Sequence, residues 1–342
     1  MRFVKTACLF ALAFFTLAKN LLADEPKQPQ MIKVGIIGLD TSHAVAFTKD
    51  LNDSKVATDL AGCRVVAAYP KGSPDIASSV GSVPKNIEEM KRLGVEIVDS
   101  IDTLIDRVDA VLLETNDGRP HLEQALPVLK AKKPCFIDKP IAGTLVDAIA
   151  IFAAAKKYGT PVFTSSSLRY TPGVQELRSG AKGAVIGCDA YSPAPLEKTH
   201  PDLFWYGIHG VETLFAVMGP GCETVVRTTS PDGDVVVGAW RDGRLGSFRG
   251  LRKGPHSYGG TAFTEKGIYP IGDFAGYRPL VVKIVEFFRT GTPPVSAEES
   301  LEIYVFMETA DESKRQGGKP VRLVEVFEKA KAEATKKIAS AE

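Results

Sequence analysis

Short apolar runs alternate with amphipathic segments through the first half of the chain. The apolar runs are bounded by polar and turn residues, and they predict buried strands at 32–37, 64–69, 95–98, 109–114, 135–137 and 161–164. The amphipathic segments predict helices at 44–51, 88–93, 102–106, 120–132 and 145–158, with a further helix after the turn at 70–75. Strands that alternate with helices at such short intervals form a doubly wound parallel sheet. We therefore predict an α/β first half, at residues 31–166.

The pattern changes after about residue 167. Strand-like runs now follow one another, at 184–190, 223–228, 234–240, 245–251, 260–264 and 267–271. Two of the turns between them, at 231–233 and 241–243, contain the Asp-Gly pair that is typical of β-hairpins. Helices are predicted at 172–178, 204–218, 278–289, 297–315 and 324–341. The second half, residues 167–342, is therefore predicted to be an α+β domain with a largely antiparallel open sheet.

Residues 1–23 have the features of a secretory signal peptide. Arg2 and Lys5 precede an apolar run at 7–18, and Ala23 precedes a polar linker at 24–30. Lys19 interrupts the apolar segment, so an uncleaved anchor is the alternative. We expect cleavage after Ala23 and an exported chain, periplasmic or extracytoplasmic, with no stable membrane insertion.

Chain length, net charge and cysteine spacing limit the kinds of protein that this chain can be. The 342 residues, 44% of them hydrophobic, are enough for two domains with large cores. A formal net charge of +1 gives no electrostatic footprint for nucleic acid, and we expect no such partner. The cysteines beyond the signal segment are far apart and form no Cys-x-x-Cys pair, so we expect them to be buried thiols: Cys63, Cys135, Cys188 and Cys222.

The strand predicted at 135–137 ends abruptly in Asp138, Lys139 and Pro140. Proline cannot extend a strand ladder, so the strand stops there. In an open parallel sheet, ligands lie beyond the carboxyl ends of the strands. Lys139 is therefore placed where chemistry is expected, and a surface lysine in a loop is the alternative.

The turn after the first strand differs from the usual dinucleotide-binding sequence G-x-G-x-x-G. Only Gly38 is a glycine, and Asp40 places a negative charge where the second glycine lets a diphosphate approach. The following helix N-terminus still offers free N–H groups and hydroxyls to a phosphate. The candidate cofactor contacts in this turn are Gly38, Asp40, Thr41, Ser42 and His43.

Two further loops at the same sheet edge carry candidate cofactor contacts. Lys71 and Ser73 follow the second strand, where an acid usually binds the ribose, and they favour a 2′-phosphate and hence NADP. A capped turn, with Ser73 as the N-cap, is the alternative. Asn116 and His121 follow another strand and are candidates for contact with the nicotinamide or its ribose. The alternative is an ordinary helix start, because Pro120 beside them is a residue common at the first position of a helix.

The helix predicted at 204–218 carries polar groups within an apolar sequence. Tyr206, His209 and Glu212 are three residues apart and share one helix face. A buried structural histidine is the alternative to a functional one. His209 and Glu212 are too few for a metal centre, and the sequence predicts no metal site.

Taken together, residues 31–323 resemble the glucose–fructose oxidoreductase/inositol dehydrogenase (Gfo/Idh/MocA) family. The matching segments are 34–38, 116–121, 138–140, 168–170, 207–209 and 317–321. The resemblance implies a Rossmann-type domain followed by the α+β substrate domain. It also implies that Lys139 contacts the substrate hydroxyl and the nicotinamide ribose, that Asp138 stands where the family has Glu, and that His209 matches the catalytic histidine. Trp205 stands where the family has the aspartate that pairs with that histidine.

The resemblance implies an oxidoreductase that uses NAD or NADP and acts on a sugar or polyol. Lys139, His209 and Tyr206 are the candidate catalytic residues, and Asp138 and Lys139 complete the candidate cofactor contacts. Two alternatives remain: a redox-neutral glycoside hydrolase or lyase with tightly bound NAD, and a catalytically altered relative that binds carbohydrate. The family also suggests a homo-oligomer assembled through the open sheet face.

Overall fold

Six parallel strands form the first sheet, in the order β3-β2-β1-β4-β5-β6. These strands are β1 (Ile32–Ile37), β2 (Cys63–Tyr69), β3 (Glu96–Ile97), β4 (Ala110–Leu113), β5 (Cys135–Ile137) and β6 (Val162–Phe163). The computed structural model describes residues 31–340, so the predicted signal peptide and the linker at 24–30 lie outside the described residues. The doubly wound parallel sheet predicted for the first half is confirmed.

Helices connect these strands and cover both faces of the sheet. They are α1 (Ser42–Asn52), α2 (Ala77–Arg92), α3 (Ile101–Ile105), α4 (His121–Lys130) and α5 (Leu145–Tyr158). Because side chains alternate along a strand, Leu112 packs into one apolar core with α1, whereas Val111 and Leu113 pack into the other, with α4 and α5. The strands are buried on both faces, which explains their continuous apolar sequence.

The second sheet has seven strands, in the order β12-β11-β7-β10-β9-β8-β13. The strands are β7 (Val185–Pro193), β8 (Cys222–Ser230), β9 (Gly233–Trp240), β10 (Leu245–Leu251), β11 (Gly259–Thr264), β12 (Gly267–Pro270) and β13 (Val321–Arg322). Neighbouring strands are antiparallel except β7 and β10, which pair in parallel. The largely antiparallel sheet is therefore confirmed, with one parallel pair that local periodicity does not reveal.

The remaining helices cover one face of the second sheet or return to the first. They are α6 (Pro172–Arg178), α7 (Ile208–Met218), α8 (Arg278–Thr290), α9 (Ala297–Arg315) and α10 (Leu323–Ser340), preceded by a 3-10 helix at Ser167–Tyr170. α7 and α9 pack on the second sheet. α8 buries Leu280, Ile284 and Phe287 in the core beside β1 and α1. Since the described residues from Met31 onward group as one compact unit, the domain boundary at 166/167 stays a prediction.

Two helix bounds differ from the prediction in ways that matter for the site. α2 is one helix from Ala77 to Arg92, with Pro84 inside it, rather than two segments. α7 begins at Ile208 rather than at 204, because the N–H of Ile208 donates to the carbonyl of Leu203 and the chain turns at 204–207. Tyr206 therefore lies in the turn that precedes α7. No helix within residues 31–340 combines the length and apolarity that crossing a membrane requires.

Candidate active site

A cavity of about 240 Å³ lies at the carboxyl ends of β1 and β5 and faces the start of α7. We call it the central cavity. Its walls consist of Asp40, Thr41, Ser42, His43, Asn116, Lys139, Ser167, Leu168, Tyr206, His209, Tyr258, Phe274 and Tyr277. The first sheet supplies the polar groups on one side, and α7 with the β10–β11 and β12–α8 loops supplies the aromatic groups on the other. The cavity thus lies at the sheet edge where ligands of parallel sheets bind.

Lys139 enters the central cavity directly after β5. Its side chain is largely buried, with 7% of the residue exposed. The preceding residue, Asp138, accepts a hydrogen bond from Nδ1 of His43 at 2.8 Å. Burial opposes ionisation of Asp138, but His43 and Lys139 hold the pKa of this carboxyl at about 2. Asp138 is therefore a fixed negative charge beside Lys139.

His209 enters the cavity from the first turn of α7. Its Nδ1 lies 2.8 Å from the hydroxyl oxygen of Ser166, which leaves Nε2 for the cavity. Burial, to which the charge of Lys139 adds, lowers the pKa of His209 well below its usual value. The imidazole is therefore neutral near pH 7 and acts as a hydrogen-bonding group rather than a cation.

Glu212 holds the segment that positions His209, and it does not line the cavity. Its carboxylate accepts hydrogen bonds from Ser165 Oγ at 2.6 Å and from Ser166 N at 2.7 Å. It also accepts one from Nε of the buried Arg169 at 2.7 Å. Glu212 and Arg169 thus form a buried ion pair that fixes the chain at Ser166, and Ser166 in turn contacts the imidazole.

Two tyrosines form a polar wall opposite Lys139. The hydroxyl oxygens of Tyr206 and Tyr258 are 2.9 Å apart, and the Tyr206 ring lies 5.0 Å from the His209 ring. Burial raises the pKa of Tyr258 far above its ordinary value, so its hydroxyl keeps its proton. The wall therefore presents hydroxyl groups that can donate and accept hydrogen bonds.

A second, larger groove of about 410 Å³ lies at the carboxyl ends of β2 and β4. We call it the outer groove. It is lined by Tyr69, Lys71, Gly72, Ser73, Pro74, Asp99, Ser100, Ile101, Asp102, Thr115, Pro120, Glu123, Gln124 and Pro127. In doubly wound sheets with this strand order, the ribose end of a dinucleotide lies at the end of the second strand. The outer groove has the position of an adenosine site.

Asp40 lies between the central cavity and the surroundings of the outer groove. Its carboxylate accepts hydrogen bonds from Asn116 N at 3.0 Å and from Ser79 Oγ at 2.7 Å. Burial raises the pKa of Asp40 above its ordinary value, although these two hydrogen bonds act in the opposite direction. A Cβ on Gly72 would meet the Asp40 side chain at 2.8 Å, so the two turns are in close contact here.

Side-chain contacts also join the loops that flank the outer groove. Ser73 Oγ donates to Asp117 at 2.5 Å, and Arg119 contacts both Asp117 and Asp75. His200, from the second half, places Nε2 3.1 Å from the Asp117 carboxylate. The loop after β2 and the loop after β4 are therefore held together at one edge of the groove.

Most of the predicted site residues meet in these two cavities. Those that line the central cavity are Asp40, Thr41, Ser42, His43, Asn116, Lys139, Tyr206 and His209. Lys71 and Ser73 line the outer groove, but the Ser73 hydroxyl is already bound to Asp117 and is not free for a 2′-phosphate. Thr41 accepts hydrogen bonds from His43 N and Ala44 N as the N-cap of α1.

Three predicted residues lie behind the cavity walls. Gly38 has φ +90° and a Cβ there would lie 2.5 Å from Thr115 N, so its role is to let the turn pass β4. His121 is fully buried, and its two ring nitrogens face the carbonyl oxygens of Thr115 and Ile141 at 2.7 and 3.1 Å. His121 therefore has no ring nitrogen left for a cofactor. Asp138 is buried beneath Lys139 and reaches the cavity only through His43.

Sequence reasoning missed several residues of the site. Ser166 contacts Nδ1 of His209 at 2.8 Å, while the Trp205 ring packs on the His200 ring at 4.9 Å. Phe274 and Tyr277 come from the loop before α8. Glu114, directly after β4, is fully buried and neither carboxylate oxygen has a hydrogen-bond partner among the described residues. An acid that ends an apolar strand was the one signal that could have identified it.

A family model described as an oxidoreductase family with an NAD-binding Rossmann fold matches residues 32–166. This segment covers the first sheet and both cavity edges on that sheet. A search of curated protein sequences found no match.

Solved structures share the fold over most of the chain. A probable dehydrogenase from Thermotoga maritima has a TM-score of 0.70 at 21% identity, covering 86% of this chain and 100% of its own. A scyllo-inositol dehydrogenase from Lactobacillus casei, solved with NAD(H) and scyllo-inositol, has a TM-score of 0.68 at 16% identity, covering 86% and 100%. A myo-inositol dehydrogenase from the same organism, solved with NAD(H) and myo-inositol, has a TM-score of 0.67 at 16% identity, covering 86% and 97%. At these identities the likeness shows the fold alone.

Proposed function

We propose that this chain, which matches the model of the Gfo/Idh/MocA oxidoreductase family with its NAD-binding Rossmann fold over residues 32–166, transfers a hydride between a nicotinamide cofactor and a sugar or polyol. The observation that carries the proposal is the meeting of Lys139 and His209 in one cavity. They come from opposite sides, β5 and α7, and share the cavity with two tyrosine hydroxyls. Such a polar, aromatic-walled pocket suits a small ligand with several hydroxyl groups.

The residues at the sheet edge fit a dinucleotide at both of its ends. The outer groove would take the adenosine, the N-terminus of α1 with the exposed Ser42 would face the phosphates, and Asn116 and Lys139 would hold the nicotinamide end. Asp40 lies between these two ends, so the phosphates of a bound dinucleotide would lie close to its carboxyl group. The cofactor supplies the hydride acceptor when it is bound.

We propose NAD rather than NADP as that cofactor. Lys71 is one cation in the outer groove, but Asp99, Asp102 and Glu123 line the same groove. Three carboxylates oppose the charge of a 2′-phosphate, and the Ser73 hydroxyl is bound to Asp117. Titration of the purified protein with NAD and with NADP tests this choice, and tighter binding of NADP would overturn it.

The residues of the central cavity remove the substrate proton and orient the substrate. Lys139 is the only lysine that lines the cavity among the described residues, and in its neutral amine form it removes the hydroxyl proton of the substrate as the hydride leaves. Neutral His209, held by Ser166, orients that hydroxyl through Nε2. The Tyr206–Tyr258 pair binds neighbouring hydroxyls of the polyol and fixes its orientation.

The test is the oxidation of inositols and simple sugars by the wild-type chain in the presence of NAD. Lys139→Ala should abolish turnover, and Lys139→Arg should keep the charge without restoring it, because a guanidinium does not lose its proton. Lys130→Ala, at an exposed position of α4, is the matched control and should leave turnover unchanged. Unchanged turnover in Lys139→Ala would overturn the role given to this residue.

A redox-neutral hydrolase or lyase with retained NAD is the second candidate. Asp117 contacts Ser73, Arg119 and His200, and these contacts join the loops that flank the outer groove. They favour the redox-neutral reaction, because a nucleotide held beneath the joined loops would exchange slowly. Acid release of nucleotide from the purified protein separates the two. A stoichiometric amount of bound NAD supports the redox-neutral reaction, and its absence supports the free dehydrogenase.

We also propose that the chain is exported through the segment at 1–23. The basic start, the apolar run and Ala23 support this proposal. Amino-terminal sequencing of the protein from the producing cells should find Asp24 as the first residue. A chain that starts at Met1 in the cytoplasmic fraction would overturn it.

A further inference from the structure

Glu114 is a buried acid without a hydrogen-bond partner for its carboxylate among the described residues. It follows the last residue of β4, has no exposed surface, and neither carboxylate oxygen accepts a hydrogen bond within the described chain. A carboxylate in such a position is strongly unfavourable unless a cation or a proton compensates it.

Two other metal-ligating side chains converge on Glu114. His43 comes from the turn after β1 and Asp138 follows β5, and one ligand atom from each of the three residues lies within 4.8 Å of the others. All three residues are buried. One Asp138 oxygen receives the His43 Nδ1 contact, and the other, Oδ1, has no hydrogen-bond partner among the described residues. Three carboxylate oxygens of these two acids are therefore without a hydrogen-bond partner in the described chain.

We propose that His43, Glu114 and Asp138 bind a divalent transition-metal ion, Zn²⁺ or Mn²⁺, beneath the floor of the central cavity. One imidazole and two carboxylates are ligands that these ions accept, whereas Mg²⁺ and Ca²⁺ prefer oxygen alone. His43 lines the cavity, so an ion reaches the three ligands from that side, and the remaining coordination positions are left to water or substrate oxygen.

A cation explains the cluster better than a proton on Glu114 does. A proton would make one hydrogen bond, whereas an ion at the centre contacts both carboxylates at once. The ammonium of Lys139 acts electrostatically on both acids and offsets one of their two charges. A dication compensates the second charge, which no lysine or arginine among the described residues does by direct contact.

The three ligands are at positions 43, 114 and 138, and this spacing matches no metal-binding motif. They meet because the ends of β1, β4 and β5 are neighbours in the sheet. The proposal does not depend on the substrate or on the cofactor of the oxidoreductase.

The experiment is elemental analysis of the full chain, purified without an affinity tag and without chelator. About one Zn²⁺ or Mn²⁺ per chain is expected. After chelator treatment, calorimetric titration with each ion should restore the same stoichiometry.

Glu114→Gln, which keeps the shape of the side chain and removes its charge, should weaken metal binding by about tenfold or more. Glu302→Gln is the control, because that carboxylate accepts hydrogen bonds from Gly221 N and Cys222 N, in the second half of the chain, and should bind metal normally.

Thermal unfolding gives a readout that does not need activity. Zn²⁺ or Mn²⁺ should raise the midpoint of the metal-free wild type, and it should not raise that of Glu114→Gln. Without metal, Glu114→Gln should be at least as stable as the wild type, since a buried acid without a hydrogen-bond partner is gone. If the metal-free wild type neither binds either ion nor gains stability from it, or if Glu114→Gln binds as tightly as the wild type, the proposal is wrong.

Discussion

Asp40 shows how one residue can change a cofactor site without changing the fold. It stands where a dinucleotide-binding turn has its second glycine, yet it is 3% exposed and bound to Ser79 and Asn116. The two hydrogen bonds tie the Asp40 side chain to α2 and to the loop after β4. What changes is the charge that an incoming diphosphate meets.

We predict that Asp40→Asn binds NAD more tightly than the wild type, by roughly tenfold, because it removes one like charge from the phosphate path. Since burial raises the pKa of Asp40, the wild-type affinity should fall as the pH rises through that value, whereas the variant should lose this dependence. His121 and Glu114 are the other titratable groups that act on Asp40, and both are present in the variant. Titrations of NAD against tryptophan fluorescence across pH measure both effects, and weaker binding by Asp40→Asn would show that the carboxylate helps.

Ser166 is the positioning residue for His209. We predict that Ser166→Ala lowers kcat by about tenfold with little change in KM, since one hydrogen bond of about 1.4 kcal/mol is lost from the imidazole. Ser166→Thr keeps the hydroxyl and should recover part of the activity. A purely structural role would instead lower stability and leave kcat unchanged, and steady-state kinetics with a denaturation curve separates the two outcomes.

At the scale of elements, α7 positions the second half of the site. Gly210 in its first turn lies against β10, where an added Cβ would be 2.3 Å from the Phe248 ring. The glycine thus lets the helix approach the sheet, and His209 beside it is directed into the cavity. The distance between helix and sheet, rather than helix propensity, decides the residue at this position.

We predict that Gly210→Ala destabilises the protein by about 1–3 kcal/mol, because the methyl group overpacks the contact with Phe248. It should also reduce turnover, since α7 must move and carries His209 with it. Gly81→Ala is the matched control: Gly81 lies inside α2 with open space around it, so this change should stabilise by about 0.5–1 kcal/mol. Urea unfolding of both variants checks the pair, and equal effects would contradict the packing argument.

At the scale of the whole molecule, one face of the second sheet is covered by α7 and α9, and the other carries exposed apolar residues. Val237 is 38% exposed and Leu245 is 60% exposed on neighbouring strands. Apolar residues on an open sheet face are typical of a surface that pairs with another copy.

We predict that the purified chain is a homo-oligomer and that Val237→Glu, which places a charge on this face, shifts it toward the monomer with the fold unchanged. Sedimentation velocity measures the mass, and circular dichroism checks the fold. Lys253→Glu, an exposed change in the β10–β11 loop, is the control and should leave the assembly intact. A monomeric wild type would contradict the prediction.

The order of elements and the position of Lys139 were determined by the sequence alone. Alternation along strands and periodicity along helices are local, so β1, β5 and α5 could be placed from a few neighbouring residues. An amine after a buried strand in a parallel sheet lies at the ligand edge in any strand order, and the structure places Lys139 in the cavity there.

Only the tertiary structure decided which side chains meet. The Asp40–Asn116 contact joins residues 76 positions apart, and Ser166 reaches His209 across 43 positions. Glu114, His43 and Asp138 likewise come together only because three strand ends adjoin in the sheet. Local periodicity carries no information on strand order or on how closely α7 approaches its sheet. These contacts depend on strand order and on the helix-to-sheet distance, because each contact joins residues of different elements that packing brings together.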